Sequence, residues 1–206
     1  MIMQPFETLV AIAAPIDLAN IDTNTILPGR FLRKQRGPGY ERCLFHDLRF
    51  DPDGEERPDF VLNQPAYRNA KILVAGRNFG WGSSREGAVY ALWDYGIRSV
   101  IAPSFGDIHY GNQLQNGMLP LVLPEQTCRA LSQQLHERPG VAIRIELAAQ
   151  TVTAPDGAQH RFEIDPAHKE RLLKGLDDVA LVMQHISEIE RAEARLRDEM
   201  PWLERQ

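Results

Sequence analysis

The sequence contains few of the residues that hold metals, which limits what the chain can bind by itself. Its 206 residues include two cysteines, Cys43 and Cys128, and they form no CxxC pair. Two thiols make no disulfide framework, although a single bridge between them stays open. An iron–sulfur cluster normally needs three or four thiolate ligands. The six histidines show no HxxxH or HExxH spacing, so we expect this chain alone to bind no metal or cluster.

The chain also lacks excess positive charge and long apolar segments. Its formal net charge is −5, so there is no electrostatic basis for binding nucleic acid. No apolar run approaches the roughly 18 residues that cross a bilayer. The run at residues 9–16 is broken by Pro15 and has no basic flank, unlike a signal peptide. We expect a cytoplasmic protein that does not contact a membrane.

Length and composition predict one globular domain over residues 1–206. The chain is long enough for a sizeable core, and its 43% apolar and 25% charged residues are ordinary for a globular protein. No internal repeat or low-complexity segment divides it.

The most informative stretch is residues 71–103, KILVAGRNFGWGSSREGAVYALWDYGIRSVIAP. Residues 71–75 form a short apolar run typical of a buried strand. From Ser84 the apolar residues follow helical spacing, and Gly96 stands where a helix C-terminus favours a left-handed residue. Residues 99–102 form a second apolar strand. The order predicts a βαβ unit with parallel strands.

The loop between this strand and helix predicts an anion site. Ser83 and Ser84 stand at the start of the helix, beyond the carboxyl end of the strand, where open α/β sheets bind ligands. Helix N–H groups and the helix dipole favour negative charge there. Arg85 adds a fork suited to a carboxylate. The local pattern fits equally well a structural N-cap at Ser84 followed by a solvated first turn.

The loop does not match two more specific sequence motifs. A dinucleotide fingerprint, GxGxxG, needs a third glycine where Arg85 stands. A nucleophile elbow, GxSxG, needs a final glycine where Glu86 stands. The loop therefore requires another explanation.

The remaining pattern predicts an α/β fold with a largely parallel sheet, flanking helices and a hairpin extension. The further predicted elements are a strand at 8–13, an ordered loop with one helical turn at 104–117, a strand at 119–123, a helix at 125–136, a strand at 141–147, a turn at 154–157 with its hairpin partner at 161–164, a helix from Pro166 to Gly175 capped by Asp165, a helix from Leu176, and a final helix with a capping box at Ser187 and Glu190.

Several segments, taken together and in order, resemble the small subunits of the bacterial isopropylmalate dehydratase family within the aconitase superfamily. They cover nearly the whole chain. The segments are NIDTNTILP at 20–28, FLRKQRGPGYERCLFHDLRF at 31–50, PDFVLNQPAYRNA at 58–70, FGWGSSRE at 79–86, DYGIRSVIAPSFGDI at 94–108, GNQLQNGMLPL at 111–121 and GLDDVALVMQH at 175–185.

The resemblance implies a single swivelling β/β/α domain with a C-terminal helical extension. It also implies that the chain is one subunit of a hydro-lyase. That enzyme interconverts 2-isopropylmalate and 3-isopropylmalate through 2-isopropylmaleate in leucine biosynthesis. The partner is a large subunit carrying a [4Fe–4S] cluster that acts as Lewis acid on the departing hydroxyl. The small-molecule substrate is a substituted malate.

The same resemblance assigns expected roles to individual residues. Ser83 matches the catalytic base, acting as an alkoxide, Ser84 a neighbouring donor, and Arg85 the carboxylate-binding arginine. The segment with Asp22, Thr23 and Asn24 is expected beside the active site, although its residues also fit an Asx-turn. The basic stretch at 29–40 resembles a mobile substrate-recognition loop, with candidate residues Arg30, Arg33 and Arg36.

The chain departs from the family pattern at four positions. Many members have His where this chain has Gly87, and Pro-Trp where it has Val89 and Tyr90; Asn24 stands at a position that is usually Asp. These changes keep open a related hydratase for another substituted malate, such as methylmalate or citraconate. An alternative of a different class is a non-enzymatic module that binds an anion at the same helix terminus.

Overall fold

The computed structural model describes residues 3–82, 85–200 and 202. Within these residues the strands are β1 Thr8–Ile16, β2 Ile72–Ala75, β3 Ser99–Ala102, β4 Leu119–Val122, β5 Ala142–Glu146, β6 Thr151–Thr153 and β7 Gln159–Arg161. The helices are α1 Thr23–Ile26, α2 His46–Arg49, α3 Glu86–Tyr95, α4 Asp107–Gln115, α5 Glu125–Glu137, α6 Pro166–Lys174, α7 Asp178–Met183 and α8 Ile186–Glu199. Short 3-10 turns occupy Gly29–Phe31, Tyr40–Cys43 and Val61–Asn63.

The strands form one mixed sheet in the order β4-β3-β2-β1-β5-β6-β7. The four strands from β4 to β1 run parallel, whereas β5, β6 and β7 are added antiparallel. β1 joins the two halves, because residues 8–12 pair with β5 and residues 13–16 pair with β2. The prediction of a largely parallel sheet is therefore right for the β1–β4 half only.

The sheet separates two apolar cores. In β2, Leu73 and Ala75 contribute to one core, and Ile72 and Val74 contribute to the other, as expected from the two-residue period of a strand. α3 covers the first core and α5 covers the second. Burial on both faces explains why β2 reads as a continuous apolar run.

The predicted βαβ unit is confirmed as β2, α3 and β3, with β2 and β3 parallel. α3 ends at Gly96, whose φ of 114° suits glycine and whose N–H bonds back to Leu92 and Trp93. α3 begins at Glu86, and Arg85 occupies its N-cap position. The alternative that Ser84 is a structural N-cap concerns a residue outside those that the structure describes.

α4 corrects the prediction of an ordered loop with one helical turn at residues 104–117, because Asp107–Gln115 form a regular helix of 9 residues. The helix buries His109, Gln113 and Leu114, so two of its three buried side chains are polar. A helix is recognised in a sequence by apolar residues at helical spacing, and here polar residues occupy two of the buried positions. Tertiary packing around this segment decides its conformation.

The C-terminal third confirms one helix and corrects two other elements. Asp165 accepts hydrogen bonds from the Ala167 and His168 N–H groups, and Gly175 ends α6 with φ 63°, as predicted. The turn at 154–157 joins β6 to β7, so the hairpin partner is Gln159–Arg161 rather than 161–164. α8 begins one residue before Ser187, and its N-cap is His185, so the predicted capping box is wrong. In the described part of the chain, no helix has the length and apolar character needed to span a bilayer.

Candidate functional site

Three chain segments meet at the carboxyl edge of the parallel strands. The segment after β2 is flanked on one side by the segment after β1, where the Gly80 N–H donates to the Ile21 carbonyl at 2.7 Å and the Thr23 N–H donates to the Trp81 carbonyl at 3.2 Å. The indole Nε1 of Trp81 also donates to the Asn20 carbonyl at 2.8 Å. Backbone pairing therefore continues beyond β1 and β2 and leads directly to the serine loop.

The other side of the same segment is held by the chain after β3. The Phe79 N–H donates to the Ser104 carbonyl, and the Gly106 N–H donates to the Phe79 carbonyl, both at 3.0 Å. A Cβ at Gly106 would lie 2.6 Å from the Gly80 carbonyl oxygen. Glycine is required here because the two backbones approach too closely for a side chain.

Ser83, the predicted base, and Ser84, the predicted neighbouring donor, lie outside the described residues. Gly82, which precedes them, has φ 95°, a conformation that favours glycine. The structure therefore places the residues on both sides of the pair, and the roles of Ser83 and Ser84 stay predictions.

Arg85 lies beside Asn24, as the predicted grouping of the two segments requires. Its Nη1 donates to the Asn24 Oδ1 at 2.5 Å. A Cβ at Gly29 would lie 3.3 Å from that nitrogen, so the start of the basic stretch also borders the site. Among the described residues Arg85 has no carboxylate partner. Its charge is available to an anion, because a neutral amide orients the guanidinium without neutralising it.

Asp22 and Thr23 precede Asn24 in the chain and have structural contacts of their own. One carboxylate oxygen of Asp22 accepts from both the backbone N–H and the hydroxyl of Thr25 at 2.6 Å, which caps α1. Thr23 is buried, with 2% of its surface exposed. The Asx-type capping expected from the sequence accounts for Asp22 without a chemical role.

The basic stretch is held by ion pairs at two of its three candidate arginines. Arg30 forms a two-pronged pair with Asp47, one contact being Nη1 to Oδ2 at 2.9 Å. The hydrogen bond from Arg30 lowers the pKa of Asp47. Because this pair is exposed, it is weak. Arg33 forms no ion pair with any described residue.

Arg36 connects the same stretch to α3. Its Nε and Nη2 donate to the two carboxylate oxygens of Asp94 at 2.8 and 2.6 Å. Its guanidinium also lies 4.5 Å from the centre of the Tyr90 ring, a favourable cation–π distance. Tyr90, one of the departures from the family pattern, therefore takes part in anchoring the loop.

Gly87 adjoins the same anchoring surface. A Cβ there would lie 2.9 Å from the Leu27 Cδ2 and 3.1 Å from the Tyr40 hydroxyl. The space that a side chain would take is thus occupied by Tyr40, which is buried. In this chain the basic stretch packs directly against the first turn of α3.

α4 is the feature of the site that sequence reasoning missed. A Cβ at Gly80 would lie 2.0 Å from the His109 ring, at the start of α4. At the other end, the Asn116 Nδ2 donates to the Glu86 Oε1 at 3.3 Å. α4 therefore extends between the two ends of the segment that contains both serines. The flanking glycines 106 and 117 and the acidic Asp107 were the available signals for this helix.

His109 and Gln113 lie one turn apart on α4 and are fully buried. Neither side chain has a hydrogen-bond partner among the described residues. Burial lowers the pKa of His109 to about 4, so this imidazole is neutral at pH 7. A neutral ring packed against Phe79 supports the loop as a space-filling group.

The described residues do not suit a metal or an iron–sulfur cluster. They contain no group of three or more His, Cys, Asp or Glu side chains close enough to hold an ion. Cys43 and Cys128 are both buried and free. Burial raises the pKa of Cys128 to about 11, which opposes the thiolate form that a ligand requires.

A cleft of about 380 Å³ lies on the α5 side of the same sheet edge and includes Asp17 and Ser132 in its lining. The Asp17 carboxylate accepts from the Ser132 hydroxyl and contacts the His136 Nε2 at 2.5 Å. Asp17 stands between the other two residues, whereas a catalytic triad requires histidine in the middle. This cluster therefore does not activate the serine.

The comparisons with known proteins agree with the fold. Residues 3–126 match the aconitase C-terminal domain, and residues 129–166 match the LeuD_N family. The solved structure of 3-isopropylmalate dehydratase from Methanocaldococcus jannaschii is similar with a TM-score of 0.65 and 24% identity, covering 89% of this chain and 99% of that one. Together they define an α/β swivel domain of the aconitase superfamily.

Curated relatives match almost from end to end. The 3-isopropylmalate dehydratase small subunit of Parvibaculum lavamentivorans is 47% identical over 201 residues, covering 98% of this chain and 100% of the relative. The small subunit of Phenylobacterium zucineum is 49% identical over 202 residues, with 98% and 99% coverage. The chain belongs to the family of 3-isopropylmalate dehydratase small subunits.

Proposed function

We propose that this chain is the small subunit of a cytoplasmic 3-isopropylmalate dehydratase. In this reaction water leaves 2-isopropylmalate to give 2-isopropylmaleate and is added again at the neighbouring carbon to give 3-isopropylmalate. The observation that carries the proposal is the 47% identity over 98% of the chain to a small subunit of that name. Under this proposal, residues 1–206 form one swivel domain.

Arg85 is proposed to hold a carboxylate of the substrate. It stands at the carboxyl edge of the parallel strands, where α/β sheets bind ligands. Its contact with Asn24 orients the guanidinium, and no carboxylate among the described residues competes for its charge. A planar guanidinium binds a carboxylate through two parallel hydrogen bonds, and Ser84 adds a neighbouring donor.

Ser83 is proposed as the base that takes the proton from the carbon next to the departing hydroxyl. A serine hydroxyl is a very weak acid, so its alkoxide needs cationic and dipolar support. The N-terminus of α3, which begins at Glu86, and the Arg85 guanidinium supply part of it. The remainder is assigned to the partner subunit.

The partner is proposed to be a large subunit that carries a [4Fe–4S] cluster and forms a heterodimer with this chain. The cluster supplies the Lewis acid for the departing hydroxyl. The two cysteines of this chain are buried and do not suit that group. Proton removal and carboxylate binding are the tasks assigned to the small subunit.

The test is reconstitution with the matched large subunit and a loaded cluster. kcat/KM would be measured for 3-isopropylmalate, methylmalate, citrate and unsubstituted malate. We expect 3-isopropylmalate to have the highest kcat/KM. Each methylene that the pocket contacts should change kcat/KM by roughly 10–200-fold. Preference for methylmalate would assign the chain to the related hydratase instead. A loaded complex that turns over none of the four acids would favour the anion-binding module.

A further inference from the structure

Two asparagines at the carboxyl edge of the parallel strands share an uncommon backbone conformation and bind each other. Asn20 has φ 55° and Asn78 has φ 57°, in the left-handed region that few residues other than glycine adopt. The Asn78 Nδ2 donates to the Asn20 Oδ1 at 2.8 Å. Non-glycine residues that are held in this conformation cluster at functional sites, so the pair calls for an explanation at this edge.

Ser104 extends this contact to a third strand end. Its hydroxyl accepts from the Asn78 N–H and donates to the Asn78 Oδ1, both at 2.9 Å. Asn20 follows β1, Asn78 follows β2 and Ser104 follows β3. These three side chains therefore connect the ends of three neighbouring strands of the sheet. We call Asn20, Asn78 and Ser104 the edge cluster.

The edge cluster contacts the start of the segment that leads to the predicted base. Besides the side-chain bonds, the Phe79 N–H donates to the Ser104 carbonyl at 3.0 Å. The Trp81 Nε1 donates to the Asn20 carbonyl at 2.8 Å. The first residues of this segment are therefore bonded to both of the neighbouring strand ends, and their position depends on the contacts of the edge cluster.

The two ends of residues 78–85 have separate supports. The edge cluster holds the first end, whereas Arg85 at the second end begins α3 as its N-cap residue and bonds to Asn24. Asn20 and Asn78 are exposed, and hydrogen bonds that replace bonds to water contribute little net stability. The edge cluster is therefore better suited to setting the position of this segment than to stabilising the fold.

We infer that Asn78 is a positioning residue, which through the edge cluster holds the start of the segment that carries Ser83. The inference rests on the proposed function for the role of Ser83. A general base must lie within hydrogen-bond reach of the proton that it removes, and a small displacement of a reacting group lowers the rate strongly. Loss of the edge cluster should therefore lower kcat. KM should change little, because Arg85 keeps its own contact with Asn24.

The test uses substitutions that keep the left-handed backbone accessible. Asn78→Gly removes the side-chain bonds to Asn20 and Ser104, and glycine adopts positive φ at no steric cost. The matched control is Gln150→Gly. Gln150 has φ 53°, and its side chain donates to the Phe162 carbonyl at 3.0 Å. It lies between β5 and β6, where β5 ends beside the start of β1, at the opposite edge of the sheet.

Steady-state kinetics of the reconstituted complex give the main result. We expect Asn78→Gly to lower kcat by about 10–10²-fold and to leave KM for 3-isopropylmalate close to that of the wild type. Gln150→Gly should change neither value. Similar thermal unfolding midpoints for the two variants check that a lower kcat is not a loss of folding. A rise in KM with unchanged kcat in Asn78→Gly would overturn the inference.

A double-mutant cycle on kcat tests whether the two asparagines act through their shared hydrogen bond. Asn20→Gly should also lower kcat. The double variant Asn20→Gly/Asn78→Gly should lower it little further than Asn78→Gly alone, because residues in one hydrogen-bond network have non-additive effects. Two single effects that simply multiply in the double variant would show that the asparagines act separately, which would overturn the edge cluster as the cause.

Hydrogen exchange of the full chain without its partner separates this inference from the proposed function. The Gly80 N–H bonds to the Ile21 carbonyl at 2.7 Å, and Asn78→Gly should make this amide exchange at least about tenfold faster while the amides of α5 keep their rates. Unchanged exchange at Gly80, or unchanged kcat in an active complex, would overturn the positioning role alone. Faster exchange at Gly80 together with a wild-type complex that turns over no alkylmalate would support the positioning of the segment and overturn the proposed function.

Discussion

Arg85 donates a hydrogen bond from its Nη1 to the side-chain oxygen of Asn24 at 2.5 Å, across 61 positions of sequence. The contact joins the segment after β1 to the start of α3. An aspartate, usual in the family at this position, would partly neutralise the arginine. Asn24 keeps the orientation and leaves the charge intact.

We predict that Asn24→Ala raises KM for 3-isopropylmalate several-fold and changes kcat little, because the guanidinium loses its orienting contact. Arg85→Lys should raise KM more, since lysine keeps the charge and loses the two-pronged geometry. Steady-state kinetics of the reconstituted enzyme measure both effects. Unchanged KM and kcat for Arg85→Lys would show that Arg85 is a surface residue that does not bind the substrate.

Ser83→Ala is predicted to lower kcat by about 10²–10⁴-fold, the usual effect of removing a proton-transfer group. Binding to the large subunit should stay within error of the wild type, because the substitution removes one hydroxyl oxygen. Ser84→Ala is the matched control and should act mainly through KM. Normal turnover in Ser83→Ala together with a large loss in Ser84→Ala would reverse the two assignments.

Gly87→Ala is predicted to be less stable than helix propensity suggests. The new Cβ would lie 2.9 Å from Leu27 and 3.1 Å from the Tyr40 hydroxyl, and such crowding costs about 1–3 kcal/mol. Gly111→Ala in α4 is the control, since a Cβ there meets nothing within 4 Å. That change should raise the free energy of unfolding by up to about 1 kcal/mol.

Denaturant unfolding of the isolated chain measures both glycine variants. Adding Tyr40→Phe removes the hydroxyl that the new Cβ approaches and should recover part of the loss in Gly87→Ala. Equal stability of Gly87→Ala and Gly111→Ala would contradict the packing of Tyr40 against α3.

His109→Phe is predicted to remove part of the pH dependence of stability. The pKa of His109 is lowered by burial from 6.5 to about 4, so between those values the unfolded chain binds more protons than the folded one. The wild type should therefore lose stability as the pH falls from about 6.5 toward 4, by about 3 kcal/mol from this group. The phenylalanine variant should lose less over the same range.

Urea unfolding at pH 7.5 and pH 5 compares the two proteins. At pH 7.5 His109→Phe should be at least as stable as the wild type, because it removes two buried nitrogens without partners. Parallel pH profiles for the two proteins would show that the imidazole is hydrated or paired in solution.

Local sequence patterns were sufficient to predict the elements whose signals lie within a few residues of one another. β2 is a short apolar run, α6 carries its cap at Asp165 and its stop at Gly175, and Gly96 ends α3. Each of these features depends on residues a few positions apart, so a single window of sequence contains the cause. The family motifs likewise placed Arg85 at the start of α3 because the motif is continuous.

Features that depend on contacts between distant residues could be seen only in the folded chain. α4 was hidden because the positions that face the core are His109 and Gln113, and only the close approach of Gly80 explains why a ring fits there. The pairing of Arg36 with Asp94 spans 58 positions, and its partner is not specified by local pattern. The spacing of side chains shows which residues share one face of a helix or strand. The surface that packs against that face depends on how the whole chain folds.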